Sequence, residues 1–479
     1  MSDKAKDLCE QRVAGRIGRR EFARWIAALG IGAAAADGLL QASTTRAMAA
    51  GFDWKQQQGK TVRFLFDKHP YANAMIADLA QFKDLTGINV EYDIIPEDVY
   101  FQKVTSALSS RSRRYDGFMT GAYQTWQYGP AEWIEDMKSF IEDPTKTSPD
   151  YDWQDIIANL RTSDAWSGVP GEALGTKDAK QWAIPLAFEL YNVSYNKRIF
   201  DKLKLEPPKN LPDMIEVASK ISRDAGNGIY GVSVRGSRSW ATIHPGYLSS
   251  YANYGARDFE MKGGKLNSAV NSAVSKEMNK LWVEMIQKAG PPNWSTYTWY
   301  EVAQDLCSGH CGMIYDANII GFFENSPGTT EAGHIGFAGF VPDPKMSHPT
   351  SNVWIWSLAM SKFSDNKDAA WLFIQWATGK RFGIFGGVKQ ELVDPVRTTT
   401  WSDPGFKARL AKSYPGFYEA FEASLPDARI YFTPQPLFFN VTTEWAASLQ
   451  EMVAKQVTVD DGLDRLAANI DRQMRSAGI

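Results

Sequence analysis

The chain has 479 residues, 44% of them hydrophobic and 22% charged. That is ordinary globular composition, and the length exceeds what one hydrophobic core serves, so two or more lobes are expected. Without its first 49 residues the chain carries 44 basic and 50 acidic side chains, a mildly acidic balance that excludes the basic footprint of nucleic-acid binding and a basic run for anionic lipid.

Gly18-Arg19-Arg20-Glu21-Phe22 precedes an uncharged stretch from Trp25 to Ala36, too short to span a bilayer. Paired arginines, Phe two residues later and a mild apolar core resemble a twin-arginine export signal. Ala47-Met48-Ala49 puts small residues at both cleavage-determining positions, so residues 1–49 are read as signal peptide. Cys9 lies upstream of the apolar core and is no lipoprotein cysteine. A protein free in the periplasm is expected, exported by the twin-arginine translocase.

Thr61 to Phe66 reads as a buried strand, followed by the loop Asp67-Lys68-His69-Pro70-Tyr71. Ala72, Met75, Ile76, Leu79, Phe82 and Leu85 recur at helical spacing, and Gly87 stands where a left-handed helix cap belongs. Asn89 to Ile95 alternates as a second strand. Strand, helix and strand over about 35 residues form a βαβ unit and imply a parallel sheet. Val99, Val104 and Leu108 mark a further helix and Tyr115 to Met119 a strand, whereas residues 143–181 read as surface insertion.

Trp182, Ile184, Leu186, Phe188, Leu190 and Val193 approximate a period of two, and Pro185 fits an edge or a segment crossing between sheets. Tyr195-Asn196-Lys197 then leads into a short helix through Phe200-Asp201. Ile184-Pro185, Tyr195-Asn196-Lys197 and Phe200-Asp201 resemble the first interlobe crossing of the extracellular solute-binding proteins of ABC importers, the maltose-binding-protein-like family. Further features follow in that family's order: a helix through Ile215, Ala218 and Ile221, a strand to Val234, an amphipathic helix over 271–288, a helix ending at Gly309 before a Gly312-Met313 strand, strands at 335–342 and 354–360, and a helix over 368–378. Leu211-Pro212 stands where the family commonly has Trp.

The resemblance implies a two-lobed α/β fold with a mainly parallel sheet in each lobe and a multi-segment hinge. Lobe I is expected to hold residues 50–186 and about 311–345, and lobe II residues 187–310 and about 346–479. It implies a monomeric periplasmic binding protein that captures a carbohydrate (a saccharide, sugar acid or sugar alcohol) in the interlobe cleft and delivers it to ABC permease subunits. The alternatives are a secreted carbohydrate-active enzyme and a sensory or docking protein of the same fold. No phosphate-cradling loop, Gly-x-Ser-x-Gly elbow or His-Glu-x-x-His helix occurs, so no enzyme, catalytic residue or cofactor is expected.

Aromatic residues reach 13%, a surplus that fills cores and also suits sugars, on whose apolar faces flat rings stack. Open parallel sheets bind ligands at the carboxyl ends of their strands, which singles out Asp67, His69 and Tyr71 after the first strand and Tyr123 and Trp126 after the Asp116 strand. Glu189 lies on the hinge, Arg235 and Trp240 flank Gly236, and Asp316 and Asn318 close the returning strand. Trp354 and Trp356 lie on one crossing strand, where one of them is expected to stack on the ligand, and Arg397 follows Pro395-Val396. Arg235 and Arg397 leave room for an acidic sugar. Cys307 and Cys311 are expected to form a disulfide in an oxidising compartment, with free buried thiols the alternative; a metal site lacks a second Cys pair.

Overall fold

A computed structural model describes residues 51–325, 328–339 and 351–479, together with Lys4 and Trp25. The expected export signal and cleavage site, like the end of the 335–342 strand, lie outside the described residues. The chain divides into two compact units: unit 1 holds Met1–Ala165, Lys180–Ala187 and Trp356–Asp403, and unit 2 holds Trp166–Ala179, Phe188–Ile355 and Pro404–Ile479.

Unit 1 is built on β1 (Thr61–Asp67), β2 (Asn89–Ile95) and β3 (Gly117–Gly121). β1 pairs in parallel with β2 on one side and with β3 on the other, as the βαβ pattern requires. The Tyr100 hydroxyl, fully buried, reaches the carbonyls of Leu65 on β1 and Met119 on β3 at 2.8 and 2.7 Å, which ties the two strands together near their carboxyl ends. The helical spacing from Ala72 to Leu85 resolves into two helices, Pro70–Ile76 and Leu79–Thr86. The break sits at Asp78, whose carboxylate is held by Arg381. Gly87 caps the second helix in the left-handed conformation (φ 72°), its N–H on the Lys83 carbonyl, a backbone state that Gly adopts without a Cβ penalty.

The crossing strand β4 (Ile184–Asn196) is buried almost throughout. Asn196 ends it and caps the next helix, Lys197–Leu203, by accepting from the Ile199 N–H. In unit 2, β5 (Tyr230–Ser233) lies parallel to β6 (Cys311–Ala317). β6 runs antiparallel to β4, and so does β7 (Ile335–Ala338). This sheet is therefore mixed rather than mainly parallel, because β4 enters it opposed to both neighbours. The flanking helix Leu211–Asp224 starts on the Asn210 side chain, which accepts from the Asp213 N–H. Pro212 sits in its first turn, where no donor is lost.

The boundaries depart from the expected lobes in three places, one of them residues 166–179, which belong to unit 2. Residues 311–338 belong to unit 2, because β6 and β7 pair with β4 and β5 there. Residues 356–403 belong to unit 1, because β8 (Val353–Met360) pairs antiparallel with β3 from Trp356 onward. The stretch 143–181 is also more than surface insertion: Ile156, Leu160 and Trp166 are buried in it, and the chain changes unit at 165/166 and again at 179/180.

The expected disulfide is not formed: Cys307 and Cys311 are both unbridged thiols. Cys307 is half-exposed in the last turn of the helix Trp299–Ser308, whereas Cys311 opens β6 in the sheet interior. Gly309, left-handed at φ 73°, turns the chain between these surroundings.

Candidate functional site

Each unit gathers part of the candidate set at the ends of its strands. In unit 1, Asp67 ends β1 and is wholly buried. His69 caps the following helix, its Nδ1 accepting from the Tyr71 N–H at 3.3 Å. Its ring lies 4.5 Å from that of Tyr71 and 4.9 Å from that of Trp356. Phe101, which was not singled out in sequence, lies parallel to Trp356 with ring centres 6.0 Å apart. Trp356 stands opposite Gly121, the last residue of β3, and the next helix, Ala122–Tyr128, carries Tyr123 and Trp126 in edge-to-face contact at 5.2 Å. Between them, Gln124 is 1% exposed and neither atom of its amide has a hydrogen-bond partner.

Arg397 does not join this group. Its Nε and Nη1 donate to the carbonyls of Thr378 and Asp152, both at 2.7 Å. Its guanidinium lies over the Tyr151 ring and 3.6 Å from Asp155. Burial pulls its pKa down, against the nearby Tyr151 and acidic groups. These bonds make it a brace inside unit 1.

In unit 2, Arg235 follows β5 and Asp316 lies on β6. The guanidinium grips the carboxylate with both arms, Nε to Oδ2 at 2.9 Å and Nη2 to Oδ1 at 2.6 Å, and both residues are buried. Burial works against the Arg235 charge, but Asp316 outweighs it and raises the pKa. The remaining arm, Nη1, reaches the Ala241 carbonyl and His244 Nε2, each at 3.3 Å. Trp240 opens the next helical turn (Trp240–Thr242) and stacks on His244 at 5.3 Å, 21° from parallel. Trp354 completes the aromatic wall, 5.4 Å from Trp240 and 5.5 Å from His244. Glu189 on β4 is buried and lies near enough for its charge to help hold Arg235 protonated.

Two amides flank the ion pair. Asn192 stands across from Asp316 in the β4–β6 register, and Asn318 follows β6 and accepts from the Leu190 N–H through Oδ1 at 3.1 Å. Asn192 Oδ1 and Asn318 Nδ2 are buried without a hydrogen-bond partner. Buried polar atoms are satisfied in the great majority of cases; here one donor and one acceptor stand open beside a paired charge. Sequence reasoning missed Asn192, Gln124, Tyr191 and His244. Asn192 was within reach, since it lies on the hinge strand two residues before Ser194, on the face opposite Val193. Among the described residues no three His, Cys, Asp or Glu side chains gather as a metal site, and no helix is long and apolar enough to cross a membrane.

Two α/β units with aromatic and hydrogen-bonding side chains at their strand ends define a binding protein of the two-lobed periplasmic type. The chain belongs to the bacterial extracellular solute-binding protein family, whose profile matches residues 31–382. It is 40% identical to the erythritol/L-threitol-binding protein of Mycolicibacterium smegmatis, over 88% of this chain and 86% of that one. It is 25% identical to the mannitol-binding protein of Pseudomonas aeruginosa, over 82% and 87% respectively. An ABC transporter solute-binding protein from Agrobacterium vitis S4, solved with bound D-mannitol, superposes with a TM-score of 0.71 at 24% identity, covering 88% of this chain and 99% of that one.

Proposed function

We propose that this chain is the periplasmic substrate-binding subunit of an ABC importer and that its ligand is a small uncharged polyol. The observation that carries this reading is the polar group of unit 2: a charge pair closed on itself, flanked by the open amide atoms of Asn192 and Asn318. Such a group offers hydrogen bonds to hydroxyls without offering net charge. Trp240 and Trp354 supply rings for a ligand's carbon skeleton. The 40% identity to an erythritol/L-threitol-binding protein, over nearly the whole chain, supports a short polyol. The relatives are binding proteins of transporters, which supports capture without turnover and delivery to membrane permease subunits.

The test is calorimetric titration with erythritol, L-threitol and D-mannitol, with product analysis after long incubation. Saturable binding of one polyol with no product is expected, and Trp240→Ala should weaken it by about 1–3 kcal/mol, the scale of a buried ring losing its apolar partner. Absence of binding to any polyol, or release of a chemically altered product, would overturn the proposal.

A further inference from the structure

His244 is 3% exposed, and both of its ring nitrogens are engaged. Nε2 faces Arg235 Nη1 at 3.3 Å and Nδ1 faces the Tyr191 hydroxyl at 2.5 Å. A guanidinium can only donate, so Nε2 must accept. A neutral imidazole that accepts at Nε2 carries its proton on Nδ1, and Nδ1–H then donates to the Tyr191 oxygen. The two contacts together fix both the tautomer and the plane of the ring.

The main chain beneath the ring is fastened as well. Asn352 Nδ2 donates to the His244 carbonyl at 2.7 Å, while the Asn352 backbone N–H is taken by Ser249 and its Oδ1 by the Tyr431 N–H. The imidazole stacks on Trp240 and meets Trp354 at a 40° tilt, the two indoles touching each other as well. One ring therefore touches the arginine and both indoles of the unit 2 group.

We infer that His244 is a positioning residue: as the Nδ1–H tautomer it locks Arg235 and the Trp240–Trp354 pair in the geometry that receives an uncharged ligand. This rests on the polyol reading of the same group. The charged and titratable groups that face it are Tyr191 from β4 and Arg235 from the end of β5, with Asp316 and Glu189 acting on it through Arg235. A proton added at Nε2 would lose the bond from Arg235 and set two cations side by side. Burial, and then Arg235, accordingly hold the imidazole pKa well below 6.5. With Nη1 held by His244 and Ala241, and Nε and Nη2 by Asp316, Arg235 has no second fork to offer a carboxylate. A sugar acid would have to break the Asp316 pair and strand that carboxylate.

The experiment combines side-chain nitrogen-15 spectra with binding of erythritol and of its four-carbon acid, erythronate. In the ligand-free protein, the signals lost in His244→Gln should show an Nδ1–H imidazole that persists as the pH falls through 6.5. The Arg235 Nη1–H that faces His244 should be protected from exchange in wild type and in His244→Gln, whose amide keeps an acceptor, and unprotected in His244→Phe, which keeps a ring without nitrogens. Erythritol affinity should fall by about tenfold or more in His244→Phe and largely return in His244→Gln, and discrimination against erythronate should follow the same order. An Nε2–H tautomer, an imidazolium at neutral pH, or a folded His244→Phe protein with wild-type Arg235 protection would overturn the inference. If wild type binds no polyol, the polyol reading falls, and the ligand-free spectra still decide the role of His244.

Discussion

Asp164 offers a test of how burial sets stability in unit 1. Its side chain is wholly buried. Oδ2 accepts from the Ser357 hydroxyl at 2.6 Å, Oδ1 has no partner, and its backbone carbonyl accepts from the Trp182 N–H at 3.0 Å. Burial raises the carboxyl pKa from 3.8 to about 7, opposed only by the Ser357 bond; no cation contributes. The sign follows from linkage. Below 3.8 the carboxyl is protonated in both folded and unfolded chains. Between 3.8 and 7 the unfolded chain gives up a proton that the folded one retains, so stability falls as pH rises, and above about 7 the loss is complete. At about 1.4 kcal/mol per tenfold change in proton affinity, the total is on the order of 4 kcal/mol. Asp164→Asn keeps an acceptor for Ser357 and cannot ionise. It should therefore gain on wild type as pH rises from about 4 to 7.5, by roughly 10 °C in Tm at the upper end if unit 1 melts on its own. Melting curves of both proteins across that range give the result. Parallel profiles, with a constant offset at every pH, would refute the reasoning, because the carboxyl would then titrate alike in both states.

Two further expectations come from side chains that the structure reassigns. Arg397→Met should lower stability by about 3–5 kcal/mol, the cost of breaking a buried ionic network from one side, while leaving erythritol affinity unchanged; denaturant melts and calorimetry separate the two. Alkylation of the protein should label Cys307 in the native state and Cys311 only after unfolding, because Cys311 is buried and burial pushes its thiol pKa well up; a protein that yields no thiol when denatured without reductant would restore the bridge expected from sequence.

The strands that position the site were legible because each is written in one local pattern. Thr61–Asp67, Asn89–Ile95 and Ile184–Asn196 are apolar or alternating runs bounded by turn residues, and the capping roles of Gly87 and Gly309 follow from their need for a left-handed backbone. Which unit a strand belongs to was not legible, since pairing is decided far along the chain. Cys311–Ala317 joins Ile184–Asn196 across more than a hundred residues, and nothing local to either strand names the partner. The break at Asp78 was hidden for the same reason, because it is held by Arg381 some three hundred residues away.

The candidate residues divide along the same line. Strand-end positions such as Asp67, Tyr123 and Asp316 could be named because topology alone puts strand ends at a binding face. Roles could not be named, because they depend on partners. Arg235 and Arg397 looked equivalent in sequence, each an arginine that left room for an acidic sugar. Arg397 is bonded to two backbone carbonyls, and backbone groups can be released only by moving the chain that carries them, so its bonds are committed to the fold. Arg235 gives one hydrogen of Nη1 to the Ala241 carbonyl, but its other bonds go to side chains, a carboxylate and an imidazole. Asp316 Oδ1 also accepts from the Ala317 N–H, so one lone pair is left, on Oδ2, and the residue stands beside the open amides of Asn192 and Asn318. A hydroxyl that donates to Asp316 leaves the fork intact, and the guanidinium then polarises the carboxylate that receives it. The same ion pair that would repel a sugar acid is therefore suited to a polyol, and that distinction rests on which partner each arginine meets in the folded chain.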